Sequence, residues 1–162
     1  MDLTASGVYV TGWTQSDNYP TSPAAFDTLF GGGVYDAFVT GLDPSLSSLV
    51  GSTYLGGTSW DFGYAMDADA SGNIYVTGHN AELGAATTFP TTAGSYQEEY
   101  NGTGGAGVGD DAFVSKFDAT LSNLLASTMF GGTKNGSSRC RGRRVSRRRR
   151  SATRGSRSSR TG

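Results

Sequence analysis

Over its first 136 residues this chain has almost no basic side chains: Lys116 and Lys134 stand against all 14 acidic residues, a net charge of −12. Residues 137–162 reverse the balance with 11 arginines and no acid, so the overall charge of −1 is the near-cancellation of two unlike segments. Cys140 is the only cysteine, which excludes an internal disulfide and a cysteine metal cluster. No apolar run approaches the ~18 residues that a membrane-spanning helix needs. The start, Met1-Asp2-Leu3-Thr4-Ala5-Ser6-Gly7, has neither the basic nor the apolar region of a signal peptide. What is abundant is glycine, 25 of 162 residues against a usual share near ~7%, together with Ser, Thr and Tyr. That composition argues for a turn-rich β protein and excludes a helical bundle. The length fits one compact domain with a tail.

The chain repeats itself. Met1-Asp2 and Ala5-Ser6-Gly7 return as Met66-Asp67 and Ala70-Ser71-Gly72, and Tyr9-Val10-Thr11-Gly12 as Tyr75-Val76-Thr77-Gly78. Tyr19-Pro20-Thr21 returns as Phe89-Pro90-Thr91, and Asp36-Ala37-Phe38-Val39 as Asp111-Ala112-Phe113-Val114. Ser52-Thr53-Tyr54-Leu55-Gly56-Gly57-Thr58 returns as Ser127-Thr128-Met129-Phe130-Gly131-Gly132-Thr133. The offset grows only between blocks, so the blocks read as strands and the spacers at 79–88 and 97–110 as loops outside the sheet core. Period-2 alternation within the blocks gives strands near 7–12, 36–42, 48–55, 62–69, 73–78, 111–117 and 123–130. Ala70-Ser71-Gly72-Asn73 reads as a tight hairpin turn, and Gly56-Gly57 and Gly131-Gly132 end strands. The pattern is four short strands per unit, with one missing from the first.

Four antiparallel strands per sequence repeat is the mark of a β-propeller blade. Asp67-Ala68-Asp69-Ala70-Ser71-Gly72-Asn73-Ile74-Tyr75-Val76-Thr77-Gly78, then Phe89-Pro90-Thr91-Thr92, Asp111-Ala112-Phe113-Val114, Ser127-Thr128 and Gly131-Gly132 closely resemble the SBBP-type β-propeller repeat of bacterial surface and secreted proteins. The resemblance covers residues 1–136 in about two copies. It implies an all-β propeller fold and an extracellular or cell-envelope setting, and it brings no enzymatic activity and no catalytic residues. Residues 1–61 read as an incomplete blade and 62–136 as a complete one. Because a closed ring takes about six to eight blades, the chain reads as a fragment, or as a piece that needs neighbouring blades or other copies of the repeat as partners.

Residues 137–162 admit three readings: a basic arm that binds nucleic acid without sequence choice, since no aromatic lies within it to stack bases; a disordered, solvated terminus; or a frame error. The third is favoured, because the segment begins where the next copy of Phe62-Gly63-Tyr64-Ala65 is due. Arginine CGN codons read one nucleotide later become codons for Asp, Ala, Gly and Val, the residues that the absent strand would use.

No position is assigned a catalytic, cofactor or metal role. Asp67, Asp69 and Ser71 before Gly72 have the alternate spacing of a calcium loop, but Gly78 stands where a bidentate Glu is needed, so a hairpin turn is the better reading and calcium a weak alternative. His79, the only histidine, reads as a loop residue at a strand end. Asp110 and Asp111 are adjacent and so point to opposite faces of a strand. Trp13, Tyr19 and Trp60 could form a sugar-stacking platform, though packing within a blade is the stronger expectation. The functional expectation is a non-catalytic fragment acting in adhesion, scaffolding or ligand binding. Its rivals are a propeller-type glycoside hydrolase fragment drawing on His79, Glu82 and Asp110, and nucleic-acid binding through the arginine-rich segment.

Overall fold

The structure, a computed structural model, describes residues 7–81, 88–101 and 110–132 in full, together with the backbone of 2–3. Every regular element among them is a strand. A first sheet has the order β1 (Asp2–Leu3), β2 (Val8–Thr14), β3 (Asp36–Leu42) and β4 (Leu49–Leu55), and a second has β5 (Trp60–Ala68), β6 (Ile74–Ala81), β7 (Asp110–Phe117) and β8 (Leu124–Phe130). All neighbours are antiparallel. The all-β, two-blade expectation is therefore correct. The strand expected to be missing from the first unit is there as a two-residue stub, pairing Asp2 with Tyr9 and Leu3 with Val8.

The repeated motifs converge on one local arrangement that both sheets share. Gly12 lies opposite Phe38, and Gly78 opposite Phe113. A side chain at either glycine would strike the phenylalanine ring, at 3.0 Å in the first sheet and 2.7 Å in the second. The ring thus lies flat across the neighbouring strand, and a second aromatic covers it: Tyr19 on Phe38 and Phe89 on Phe113, with 4.5 Å between centroids in each case. One residue pair further along the same face, a buried hydroxyl pair ties β3 to β4 through Thr40 and Ser52 and β7 to β8 through Ser115 and Ser127, both at 2.8 Å. Buried hydroxyls need partners, and here each supplies the other's.

The aromatic-Pro-Thr segments also protect the outer edge strands, whose free N–H and C=O groups would otherwise pair with foreign chains. Ser22 N–H donates to Ser52 O and Tyr54 N–H to Asp27 O on β4; Thr92 N–H donates to Ser127 O and Met129 N–H to Gln97 O on β8. Gln97 is thus part of the edge, contrary to the expectation that all of 97–110 lies outside the sheet core. The spacer 79–88 is also shorter than expected, because β6 runs on through His79, Asn80 and Ala81. Asn80 continues the inward alternation and donates to buried Asp61 at 2.5 Å, which extends the strand. Residues 82–87 and 102–109, the basic segment 137–162 and its frame-error reading lie outside the described residues.

The two sheets pack face to face, β2 and β3 against β5. Tyr9, Ala37, Val39 and Leu55 from the first meet Ile74, Val76, Phe113 and Phe117 from the second in one cluster, which Phe89 and Leu121 complete. Each large apolar side chain so buried contributes about 1.5–3 kcal/mol. The rigid glycine-on-phenylalanine contact makes a direct test. Gly78→Ala should lower unfolding free energy by about 1–3 kcal/mol in urea titration, because the new methyl meets Phe62 O and the Phe113 ring. Gly132→Ala, with nothing within 4 Å, should cost far less; equal costs would refute the packing argument.

Candidate functional site

The ends of β2, β5, β6 and β7 gather the aromatic residues and the histidine at one place. Antiparallel register sets Phe62 opposite His79 and Ala81 opposite Asp110. The imidazole stacks on Phe62 at 4.8 Å and leans on Tyr64 at 5.1 Å. Trp13 meets Phe62 and Tyr64 edge-on at 5.5 and 6.3 Å, and Tyr35 bridges Trp60 and Phe62. His79 Nε2 lies 4.0 Å from Asp110 Oδ2, an electrostatic contact too long for a hydrogen bond. Burial lowers the His79 pKa from its ordinary value, and Asp110 opposes the shift.

His79 is therefore a strand residue in an aromatic wall, which corrects its reading as a loop residue; the signal was the continued alternation after Gly78. Of the three glycosidase candidates, the structure brings His79 and Asp110 together, while Glu82 lies outside the described residues. Asp111 points to the opposite face as expected, accepting from Gln97 Nε2 and Asn101 N–H, both at 2.9 Å. Trp13 is half exposed, at 49%, on the rim of the wall. Trp60 packs within the wall against Tyr35, whereas Tyr19 lies apart from it on the first sheet, stacked on Phe38 and bonded to Thr40 through its hydroxyl at 2.8 Å.

At the calcium-like turn, Asp69 Oδ1 accepts from the N–H groups of Ser71 and Asn73, both at 2.9 Å, and Oδ2 from Asn73 Nδ2 at 2.8 Å. Lys116 Nζ stands 3.5 Å from the same Oδ2. These bonds hold the Asp69 pKa down at about 2 and leave the carboxylate engaged by its own turn. Asp67 instead accepts from Ala68 N–H. Among the described residues no group of three or more His, Cys, Asp or Glu is placed to hold a metal, and no helix is long and apolar enough to cross a membrane.

The sequence reading missed a pair of buried carboxylates. Asp36 and Asp61 are both fully buried on either side of Gly56, where an added Cβ would lie 2.8 Å from the Asp36 carboxyl carbon and 2.9 Å from Asp61 Oδ2. Asp36 accepts from Gly31 N–H at 2.6 Å, and Asp61 from Gly57 N–H at 2.8 Å as well as from Asn80. Burial raises Asp36 to about 7, helped by the charge of Asp61, and raises Asp61 to about 6. The repetition of Asp36 as Asp111 was the available signal; nothing in spacing marked Asp61.

The sign of the pH effect follows. Between about pH 4, where unfolded aspartates ionise, and pH 7, the folded chain keeps protons that the unfolded chain has released, so this pair makes stability fall as pH rises. His79, with its lowered pKa, works in the other direction, so the informative quantity is a difference. Asp36→Asn, which can still accept from Gly31, should gain stability relative to the parent as pH rises from 5 to 8 in urea titrations; parallel profiles would contradict the assignment.

Residues 50–79, from β4 through the wall histidine, match the family model for the SBBP β-propeller repeat. No curated protein and no solved structure matches the chain. The matched repeat spans the junction of the two sheets, where β4 ends and β5 and β6 begin, so the chain carries an SBBP-type β-propeller repeat there, consistent with the four-stranded antiparallel architecture of both sheets.

Proposed function

We propose that this β-propeller repeat protein is a non-catalytic module of a bacterial surface or secreted protein, working in an extracellular or cell-envelope setting through adhesion, scaffolding or ligand binding. It needs no cofactor, and its partners are neighbouring blades or further copies of the repeat. The observation that carries the reading is what the buried carboxylates do. Asp36, Asp61 and Asp111 each accept backbone N–H groups from the segments that return to the sheets, at Gly31, Gly57 and Asn101. Their chemistry serves the blade, and the same holds for Asp69 in its turn. Nucleic-acid binding rests on residues outside the described part and gains nothing from the fold.

A glycosidase needs two carboxyl groups about 5–10 Å apart across an open cleft, and Asp111 is turned away from Asp110 into the sheet. The full chain should release no chromophore from a panel of aryl glycosides beyond the buffer rate. Hydrolysis that disappears in Asp110→Asn would overturn the non-catalytic reading.

A further inference from the structure

We propose that the Asp43–Ser48 turn of one chain seats its Leu46 in the groove beside Tyr75 and Tyr96 of a second copy, joining chains head to tail. The warrant is a contact already made once within the chain. The β7–β8 turn of the second sheet plugs into the first: Leu121 is fully buried, Tyr9 Oη donates to Ala119 O at 2.7 Å, and Phe26 N–H donates to Leu121 O at 2.9 Å. The Phe26 ring meets Phe117 edge-on at 5.7 Å.

Each half of that contact has a second, uncovered version. The plug recurs as the β3–β4 turn, where Leu46 takes the same left-handed conformation as Leu121, with φ of 59° and 58°. Asp43 locks it by accepting from the N–H groups of Ser47 and Ser48 at 2.7 and 2.9 Å, as Asp118 accepts from Ser122 N–H at 3.0 Å. The plug is therefore preformed, which lowers the ordering cost of docking. Yet Leu46 is 59% exposed where Leu121 is 0%. The socket recurs as an open groove of about 500 Å³ lined by Tyr75, Tyr96, Val114, Lys116, Ala126 and Thr128 among others. Tyr75 stands for Tyr9 and Tyr96 for Phe26, and Tyr96 is 89% exposed. Tyr75 Oη and Tyr96 N–H are thus placed to donate to Pro44 O and Leu46 O of the incoming turn.

Two substitutions make the open socket differ from the filled one. Ala126 replaces Gly51, where a Cβ would lie 2.1 Å from Thr120 O, so an incoming turn rides further out. Lys116 replaces Gly41 and sits 4.9 Å from the Tyr75 ring centroid, a cation on the side to which Asp43 would come. The contact joins two different surfaces, so it builds a ring or an open array rather than a two-fold dimer.

This rests on the reading of the chain as a unit that packs against further copies of the repeat. The test is sedimentation velocity of the full chain across micromolar concentrations, at low and high salt. The expected result is association that survives high salt, and that in Leu46→Ser or Ala126→Glu needs roughly tenfold or more higher concentration. Mixing the two variants, each keeping one good half, should restore discrete 1:1 complexes. A parent chain that stays monomeric overturns both the proposal and that reading. Association that ignores Leu46→Ser, or that salt abolishes as attraction between the acidic and arginine-rich segments would require, overturns this contact alone, as does a mixture that remains monomeric.

Discussion

The burial of Leu121 in the neighbouring sheet is the contact on which the rest of the described structure depends. A leucine at φ 58° occupies a region that L-residues avoid, and Asp118 holds it there by engaging Ser122, Asn123 and Thr120. The strained turn is useful because it projects an apolar side chain beyond the hairpin into the space between Tyr9, Phe26 and Val50. Isolated four-stranded sheets have two faces to cover, and repeat architectures solve this by stacking. Here the solution is visible in a difference of burial: Ile74, Val76, Phe113 and Phe117 are fully buried, while their counterparts Val8, Val10, Phe38 and Leu42 are only partly so.

Much of this was legible because the repeat preserves cooperating residues rather than isolated ones. Gly78, Phe113 and Phe89 lie in three separate motifs, yet they form a single stack, so the motifs must recur together. Ser127 recurs with Ser115 for a similar reason, since each hydroxyl satisfies the other. The left-handed leucines did recur, Asp43, Leu46 and Ser47 returning as Asp118, Leu121 and Ser122, but the residue types alone do not reveal a positive φ or which of the two leucines is buried. The two-residue strand β1 was likewise too short to announce itself.

The candidate site was read less well than the fold. His79 follows the last matched motif residue, and a sequence comparison between the copies loses its guide there, although the strand continues to Ala81 under the pull of the Asn80–Asp61 bond. The repetition of Asp36 as Asp111 marked a strand start, but burial beside Asp61 depends on how β5 enters the second sheet, a tertiary fact. The raised pKa values near 7 and 6 are thus a consequence of blade packing: the same junction that covers apolar surface places two carboxyls out of water. Of the aromatic trio singled out in the sequence, strand register brings Trp13 and Trp60 to the His79 wall and leaves Tyr19 on Phe38.

The central claim is that the turn around Leu121 binds the two sheets into one cooperative unit. Hydrogen exchange of backbone amides in Leu121→Ala measures this most directly. The account predicts that Val39 in β3 and Phe113 in β7 lose protection together, by an amount matching a destabilisation of about 2–5 kcal/mol. Loss confined to residues 118–123, with protection in both sheets unchanged, would contradict it.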